Sequence, residues 1–435
     1  MRKLAKNRLY LHRPCSMLIT LFHLRGDIDL TRFASAIEKA MGRHEQLCSR
    51  IVQTPEGQAG YVPMEKPRVE ITTETYEPAE SADEESLTDI AFEWADAAVR
   101  FQMDLAEGEL MRHVLISDGL ETIWGVASHY LAGDAFSIQF LAKDVFRILD
   151  QPGTELSLLP WQEVKEADLP LENYMFFTDK LKFKKINKMW AKDKRVFGSD
   201  DLRRMHHNFH EAYPLHSVHT ELSAETVESL QRLTAERKVR FSSLLGAVFV
   251  MASRETDALS LPVSIRPEGY EGVGNYLGSL SLQVPKKVSS DLWSAAVDLT
   301  EKIDKGMTMP TLLHHSAIIL QGVSDTLIDA GYYAVYDGFK STAALQMSGL
   351  YGLTTAGTGT QINNLKILPL AGRYGFGFVE HVYVMPPMAP NFARIVGVAT
   401  VENRLSITMT FYQDKAHEQR LLDRVKEILE TTASL

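Results

Sequence analysis

The segment from residue 122 to residue 149 constrains the fold of this chain more than any other. Thr122–Ala127 is a largely apolar run that predicts a buried β-strand, and residues 136–149 keep polar side chains at helical spacing. Between them lies a polar turn, Ser128–Ala135, which carries two ring side chains and a carboxylate. The sequence therefore predicts a strand, a turn rich in functional groups and an amphipathic helix, in that order.

Length and composition favour a globular protein with two domains. The chain has 435 residues, of which 45% are hydrophobic. That length is too great for one compact core and fits two units of about 200 residues each. No uninterrupted apolar run reaches the roughly 20 residues that cross a bilayer, so we expect no membrane span. No secretory signal is recognisable after Met1, and a cytoplasmic location is expected.

Charge and cysteine content exclude further classes. The net charge of −10 argues against a nucleic-acid-binding protein, because phosphate binding needs a basic surface. The two cysteines, Cys15 and Cys48, cannot build a disulfide framework, and no ligand spacing indicates zinc. We therefore expect neither a structural metal nor a nucleic-acid partner.

Periodicity divides the chain into two units with a crossover between them. Residues 1–155 alternate predicted strands and helices, and residues 213–435 repeat the same rough order without an alignable sequence repeat. Residues 156–212 contain prolines and a basic run, Lys180–Arg195. This basic run is either a solvated helix face or a docking surface for an acidic partner.

The polar turn resembles a known signature. His129, Tyr130, Asp134 and Ala135 are similar to the HHxxxDG motif of the condensation superfamily, with Tyr in place of the second His and Ala in place of Gly. That superfamily includes the condensation domains of nonribosomal peptide synthetases and chloramphenicol acetyltransferase. Further segments resemble the family in the same order along the chain: Leu24–Leu30, Arg43–Leu47, Met103–Arg112, Ser264–Pro267, Val273–Tyr276 and Arg404–Met409.

The resemblance implies a fold and a reaction. The fold would be α/β, with two chloramphenicol-acetyltransferase-like lobes arranged as a V-shaped pseudo-dimer around a central channel. The reaction would be a stand-alone, condensation-type acyl transfer in secondary metabolism. Its donor would be a phosphopantetheine thioester, on a carrier protein or coenzyme A, and its acceptor a small amine or an alcohol. No bound cofactor is implied. An acidic carrier protein could dock near Lys180–Arg195.

The resemblance also assigns roles to individual residues. Asp134 would form a structural ion pair with Arg266 of the other lobe. Tyr130 and His129 are the candidate catalytic residues. The candidate substrate-binding residues are Gly133, Ala135, Asn275, Tyr276 and His381, the last from a stretch expected to line the cleft.

Tyr130 decides which mechanism is possible. A phenol with a pKa of about 10 is a poor base near neutral pH and a good hydrogen-bond donor. General base catalysis typically supplies a factor of about 10²–10⁴ in rate, or roughly 3–5.5 kcal/mol of the barrier. Alignment of two reactants can supply about 7–11 kcal/mol, which is more. An amine acceptor could therefore react without the missing His. His129, its neighbour on the strand, should face the opposite side, where it is either a core residue or a substitute base.

Two other interpretations stay open. A condensation-like protein that has lost its base could recruit a carrier protein or partner enzyme without catalysis. The pocket could also serve cyclisation or dehydration of a tethered intermediate.

Overall fold

The computed structural model describes residues 1–76, 86–163, 177–253, 255–284, 291–309, 320, 322–354 and 357–435. The β-strands of this part are β1 Arg2–Lys3, β2 Met17–Arg25, β3 Ser49–Gln53, β4 Ala59–Pro63, β5 Glu70–Thr75, β6 Met111–Ser117, β7 Glu121–His129, β8 His216–Leu222, β9 Ala258–Ser264, β10 Leu277–Gln283, β11 Thr360–Ile367, β12 Arg373–Tyr374, β13 Gly377–Met385, β14 Arg394–Val401 and β15 Arg404–Phe411.

The helices of the described part are α1 Leu30–Arg43, α2 Leu87–Ala98, α3 Ala135–Asp150, α4 Phe177–Asp193, α5 Ser199–Ala212, α6 Ala224–Glu236, α7 Phe241–Ala252, α8 Leu292–Met307, α9 Asp325–Tyr336, α10 Thr342–Leu350 and α11 Lys415–Ala433. Two short 3₁₀ helices, Ala5–Tyr10 and Leu105–Glu107, complete them. Residues 164–176 of the predicted crossover lie outside the described residues.

The first lobe is a six-stranded mixed sheet in the order β12-β13-β2-β7-β6-β5. Strands β2 and β7 pair antiparallel along their full length, from Met17 opposite His129 to Arg25 opposite Glu121. Helices α1 and α3 pack on one face of this sheet and α2 on the other. Because both faces are covered, β7 reads as a continuous apolar run rather than an alternating one.

The second lobe repeats the arrangement with another six-stranded sheet, in the order β10-β9-β11-β14-β15-β8. Helices α6, α7, α8 and α11 pack on it around a core of aliphatic side chains. The two-lobed α/β architecture expected from the sequence is confirmed. A three-stranded sheet, β1-β4-β3, adjoins the first lobe.

Two strands from the second half of the sequence belong to the sheet of the first lobe. Strands β12 and β13 lie late in the sequence but belong to the sheet of the first lobe, where Val382 pairs with Phe22. The chain thus leaves the second sheet after β11, forms β12 and β13 in the first sheet, and returns to the second sheet at β14. This crossing ties the lobes together, so neither sheet is formed by one continuous stretch of chain.

A separate helical cluster stands beside the lobes. Helices α4, α5, α9 and α10 share a core that includes Trp190, Phe197 and Tyr333, with the rings of Phe197 and Tyr333 stacked 3.7 Å apart. Buried Arg8 joins this cluster to the N-terminal segment by an ion pair with Asp329. Within the described residues, none of the helices combines the length and the apolar character required to cross a bilayer.

Candidate active site

The polar turn after β7 is held by the helix that follows it. The strand ends at His129, and Asp134 is the N-cap of α3, accepting a hydrogen bond from the backbone N–H of Ser137 at 2.9 Å. An Asp at this position accepts a hydrogen bond from an otherwise unpaired N–H, and its negative charge interacts favourably with the positive end of the helix dipole. The strand, turn and helix of the sequence prediction are therefore present at residues 121–150.

Asp134 also connects the two lobes. Its Oδ1 lies 3.0 Å from Arg266 Nη2, with both side chains buried, and its Oδ2 accepts a hydrogen bond from the Tyr276 backbone N–H at 2.8 Å. Arg266 additionally donates to Ser137 Oγ at 2.8 Å and to the Gly272 carbonyl. The carboxylate thus has several donors, as a buried charge requires.

A cavity of about 440 Å³ opens between the lobes. Its wall combines the N-terminal segment, the turn after β7, strands of the second sheet and helix α9: Lys6, Asn7, Leu9, Tyr10, Arg13, Tyr130, Pro262, Ile265, Asn275, Leu277, Gly278, Ser279, Ser281, Tyr332, Tyr351, Leu353, Gln361, Asn363, Pro387, Ala389, Asn391 and Phe392. These described wall residues include no His, Asp or Glu.

Tyr130 lies on the wall of this cavity. Its ring contacts that of Tyr10 edge to face, with centroids 5.0 Å apart, and its hydroxyl has no hydrogen-bond partner in the described part of the chain. Burial, reinforced by Tyr10 and Asp134, raises the pKa of Tyr130 far above that of an exposed phenol. The Tyr130 hydroxyl therefore keeps its proton near neutral pH, and its side chain belongs to the cavity wall.

His129 lies on the other side of the strand end. It lines a small separate void of about 30 Å³ next to His206, and its Nδ1 accepts a hydrogen bond from the Leu131 backbone N–H at 3.1 Å. Burial lowers the pKa of His129 to about 3. The side chain is neutral and is not part of the cavity wall.

A scan of protein families supplies the decisive observation. The model described as "Condensation domain" matches residues 11–278, which is more than half of the chain. The chain belongs to the condensation-domain family. No curated protein matches it.

Solved structures support the same fold for this condensation domain. The first condensation domain of the CDA synthetase superposes with a TM-score of 0.64 at 14% identity, covering 100% of this chain and 95% of that one. Polyketide synthase associated protein 5 from Mycobacterium tuberculosis gives 0.61 at 13% identity, covering 100% and 98%. SgcC5 from Streptomyces globisporus gives 0.61 at 12%, covering 99% and 98%.

The remaining residues named from the sequence occupy different places in the condensation domain. Asn275 lies on the cavity wall, where its amide donates to the Tyr130 carbonyl at 3.3 Å. Tyr276 is buried with its hydroxyl donating to the Gln162 carbonyl at 2.6 Å, so its ring is turned away from the cavity. His381 is on β13, with Nδ1 3.2 Å from Ser406 Oγ, outside the cavity wall.

Gly133 and Ala135 also lie outside the wall. A Cβ added at Gly133 would come within 2.7 Å of Ser137 Cβ and 3.1 Å of Val273, so glycine here permits close packing of the turn. Ala135 is buried in the first-lobe core. Both residues shape the turn that carries Tyr130.

Part of the cavity wall comes from the N-terminal segment, which no local sequence pattern associates with the site. Tyr10 ends the 3₁₀ helix Ala5–Tyr10, Arg13 follows that helix, and both line the cavity together with Tyr130. The signal available was a run of aromatic and basic residues ahead of β2, which local periodicity does not connect to a turn more than 100 residues away.

The basic run forms helix α4. Its apolar stripe, Phe183, Ile186 and Trp190, packs against the helical cluster, and its lysines are exposed. Phe177 and Leu181 are exposed among them, at 74% and 52%. The helix thus presents a basic surface with two apolar side chains.

Proposed function

We propose that this condensation domain is an acyltransferase that forms an amide from a pantetheine thioester and an amine, with Tyr130 as a positioned hydrogen-bond donor. One observation carries the proposal: an unpartnered Tyr130 hydroxyl on the wall of the cavity between the lobes. In the family resemblance, this position belongs to the second His of the motif. Tyr130 therefore occupies the place of the reactive residue with a different chemistry.

The proposed step is attack of the amine nitrogen on the thioester carbonyl carbon. The C–N bond forms, the C–S bond breaks, and the amine proton leaves with the thiol or passes to solvent. Negative charge develops on the carbonyl oxygen, and the Tyr130 hydroxyl can donate to it. A donor placed at a developing oxyanion is typically worth about 10²–10³ in rate. A raised pKa suits this role because the phenol keeps its proton.

The composition of the wall favours an amine over an alcohol. An alcohol must lose its proton as it attacks, and the described wall residues include no His or carboxylate to take it. A free amine attacks through its own lone pair. Ester formation is the slower alternative.

The Asp134–Arg266 pair has a structural role in this proposal. It joins the cap of α3 to the loop that carries Asn275, and both Asn275 and Tyr130 lie on the cavity wall. The pair thereby fixes the position of Tyr130 relative to the second lobe.

The donor proposed here is a thioester on an acidic carrier protein. Exposed lysines of α4 would attract acidic helices, and Phe177 and Leu181 would supply apolar contact. Condensation domains of antibiotic and polyketide synthases among the structural neighbours support a role in secondary metabolism. Two free buried cysteines fit a reducing compartment such as the cytoplasm.

The test is mass spectrometry of the purified protein incubated with acyl-loaded carrier proteins, acyl coenzyme A and amines. The proposal is supported if an amide product forms and its rate of formation falls about 10²-fold with Tyr130→Phe. Tyr374→Phe is the matched control, since its ring stacks on Phe376 away from the cavity. Tight carrier binding without any product would instead indicate a recruiting protein. A product lacking the amine would indicate cyclisation or dehydration.

A further inference from the structure

We infer that Arg13 makes the cavity a binding site for a substrate that carries a carboxylate. This inference rests on the proposed function and names a chemical class for its small-molecule substrate. The cavity wall contains the cation Arg13 and, among the described residues, no acidic side chain. A cavity of this kind favours an anionic ligand.

Arg13 differs from three described arginines whose side chains have little exposure. Arg8, Arg266 and Arg394 each face a buried carboxylate at ion-pair distance, Asp329, Asp134 and Glu418 respectively. Half-buried Arg13 has no carboxylate within ion-pair distance in the described part of the chain. A guanidinium held at a cavity wall without a counter-charge is suited to receive one from a ligand.

The geometry leaves the fork of Arg13 available. Its Nε donates to Cys15 Sγ at 3.2 Å, which fixes the base of the guanidinium. Its Cζ lies 5.9 Å from the centroid of the Tyr10 ring. The planar terminal N–H groups are matched to the two oxygens of a carboxylate.

The position of Arg13 relates the carboxylate to the reaction. Arg13 Cζ lies 5.9 Å from the centroid of the Tyr10 ring, and the Tyr130 ring contacts the same Tyr10 ring with centroids 5.0 Å apart, so all three side chains are grouped on the cavity wall. A carboxylate held by Arg13 would therefore orient a small substrate so that its other end approaches Tyr130. The aromatic and amide wall, including Tyr332 and Asn363, fits a small ring-bearing amino acid or related acid.

The test is isothermal titration of the full chain with phenylacetate and phenylacetamide at fixed ionic strength. Wild type should bind phenylacetate about tenfold to hundredfold more tightly, as expected for a charge-assisted hydrogen bond. Arg13→Gln should remove this preference, and Arg13→Lys should keep part of it. Arg50→Gln, an exposed arginine on β3, is the matched control and should leave the preference unchanged. Circular dichroism should confirm that each variant folds.

Two results would overturn the inference. Equal affinity of wild type for the acid and the amide would show that Arg13 does not select carboxylates. An Arg13-dependent preference for the phosphate ester of pantetheine over pantetheine, without one for phenylacetate, would assign the cation to the thioester donor. Titration needs no turnover, so acyl transfer to neutral amines without acid preference would leave the proposed function standing. Carboxylate binding without any acyl transfer would contradict the proposed function and leave the Arg13 binding site standing.

Discussion

His129 and Tyr130 are neighbours in sequence and face opposite sides of the strand end. Tyr130 looks into the cavity of about 440 Å³ between the lobes, whereas His129 looks into a void of about 30 Å³ beside His206. The imidazole is neutral with a pKa of about 3, and the phenol keeps its proton. The cavity wall thus carries the phenol of Tyr130, a hydrogen-bond donor, and the imidazole of His129 lies outside this wall.

The Asp134–Arg266 pair predicts a large loss of stability when it is broken. Arg266→Met should lower the free energy of unfolding by about 3–5 kcal/mol, because Asp134 would stay buried without its counter-charge. Lys143→Met is the matched control: it removes an exposed ion pair with Glu271, also between α3 and the loop after β9, and should cost at most about 1 kcal/mol. Urea unfolding measures both. Equal losses of unfolding free energy in the two variants would show that the buried pair stabilises the protein no more than the exposed pair does.

Acid should destabilise the protein through its buried histidines. Burial lowers the pKa of His113 to about 3, so the folded state keeps it neutral while the unfolded chain protonates it near pH 6.5. Between those values the unfolded state binds more protons, and stability falls as the pH falls, by about 1.4 kcal/mol per pH unit for each such His. Urea unfolding from pH 7 to pH 5 measures this slope.

His113→Gln isolates the contribution of that residue. Glutamine keeps an acceptor for Trp124 Nε1, which donates to His113 Nδ1 at 3.2 Å, but it does not titrate. The variant should therefore show a shallower dependence of stability on pH. His417→Gln, on the exposed face of the last helix, should leave the slope unchanged. A slope unaffected by His113→Gln would contradict the assignment.

The basic helix predicts a charge-dependent interaction with the carrier protein. Lys184→Glu with Lys188→Glu should raise the KM for an acyl carrier protein about tenfold at low salt, and added salt should reduce the difference. The KM for acyl coenzyme A should not change. Lys39→Glu with Lys66→Glu, both exposed on the first lobe, is the control of equal charge. The same increase in KM for both double variants would show that net charge alone explains the effect.

Much of this arrangement follows from local sequence patterns. The apolar run before residue 128 and the helical spacing after residue 135 locate β7 and α3, and the two-residue period of a strand places His129 and Tyr130 on opposite sides. Arg266 opposite Asp134 came from resemblance to the family, and the structure places the two side chains 3.0 Å apart.

Long-range pairing escaped sequence reasoning. The pairing of β13 with β2 joins residues more than 350 positions apart, and no local pattern records the partner of a strand whose faces are both covered. For the same reason, no local pattern associates Tyr10 and Arg13 with Tyr130. The sequence names Tyr276 and His381 as candidate substrate-binding residues. In the structure, the Tyr276 hydroxyl donates to the Gln162 carbonyl and His381 is on β13, and neither residue is part of the described cavity wall.

Acceptor choice should respond to the residue at position 130. Wild type should acylate a primary amine at least about 10²-fold faster than the matching alcohol, since the described cavity wall holds no base. Tyr130→His should narrow that ratio by adding one, whereas Tyr130→Phe should not. Rates for benzylamine and benzyl alcohol with one acyl donor give the comparison. An unchanged ratio in Tyr130→His would place the reaction away from position 130.

The dependence of kcat/KM on pH, measured with an amine acceptor for wild type, Tyr130→Phe and Tyr130→His, tests the central role of Tyr130 most directly. The account predicts that the wild-type profile follows only the deprotonation of the acceptor amine, at a rate about 10²-fold above Tyr130→Phe, and that Tyr130→His adds an inflection near pH 6.5. An enzyme inflection near neutral pH in wild type that persists in Tyr130→Phe would contradict it, because another residue would then be the base.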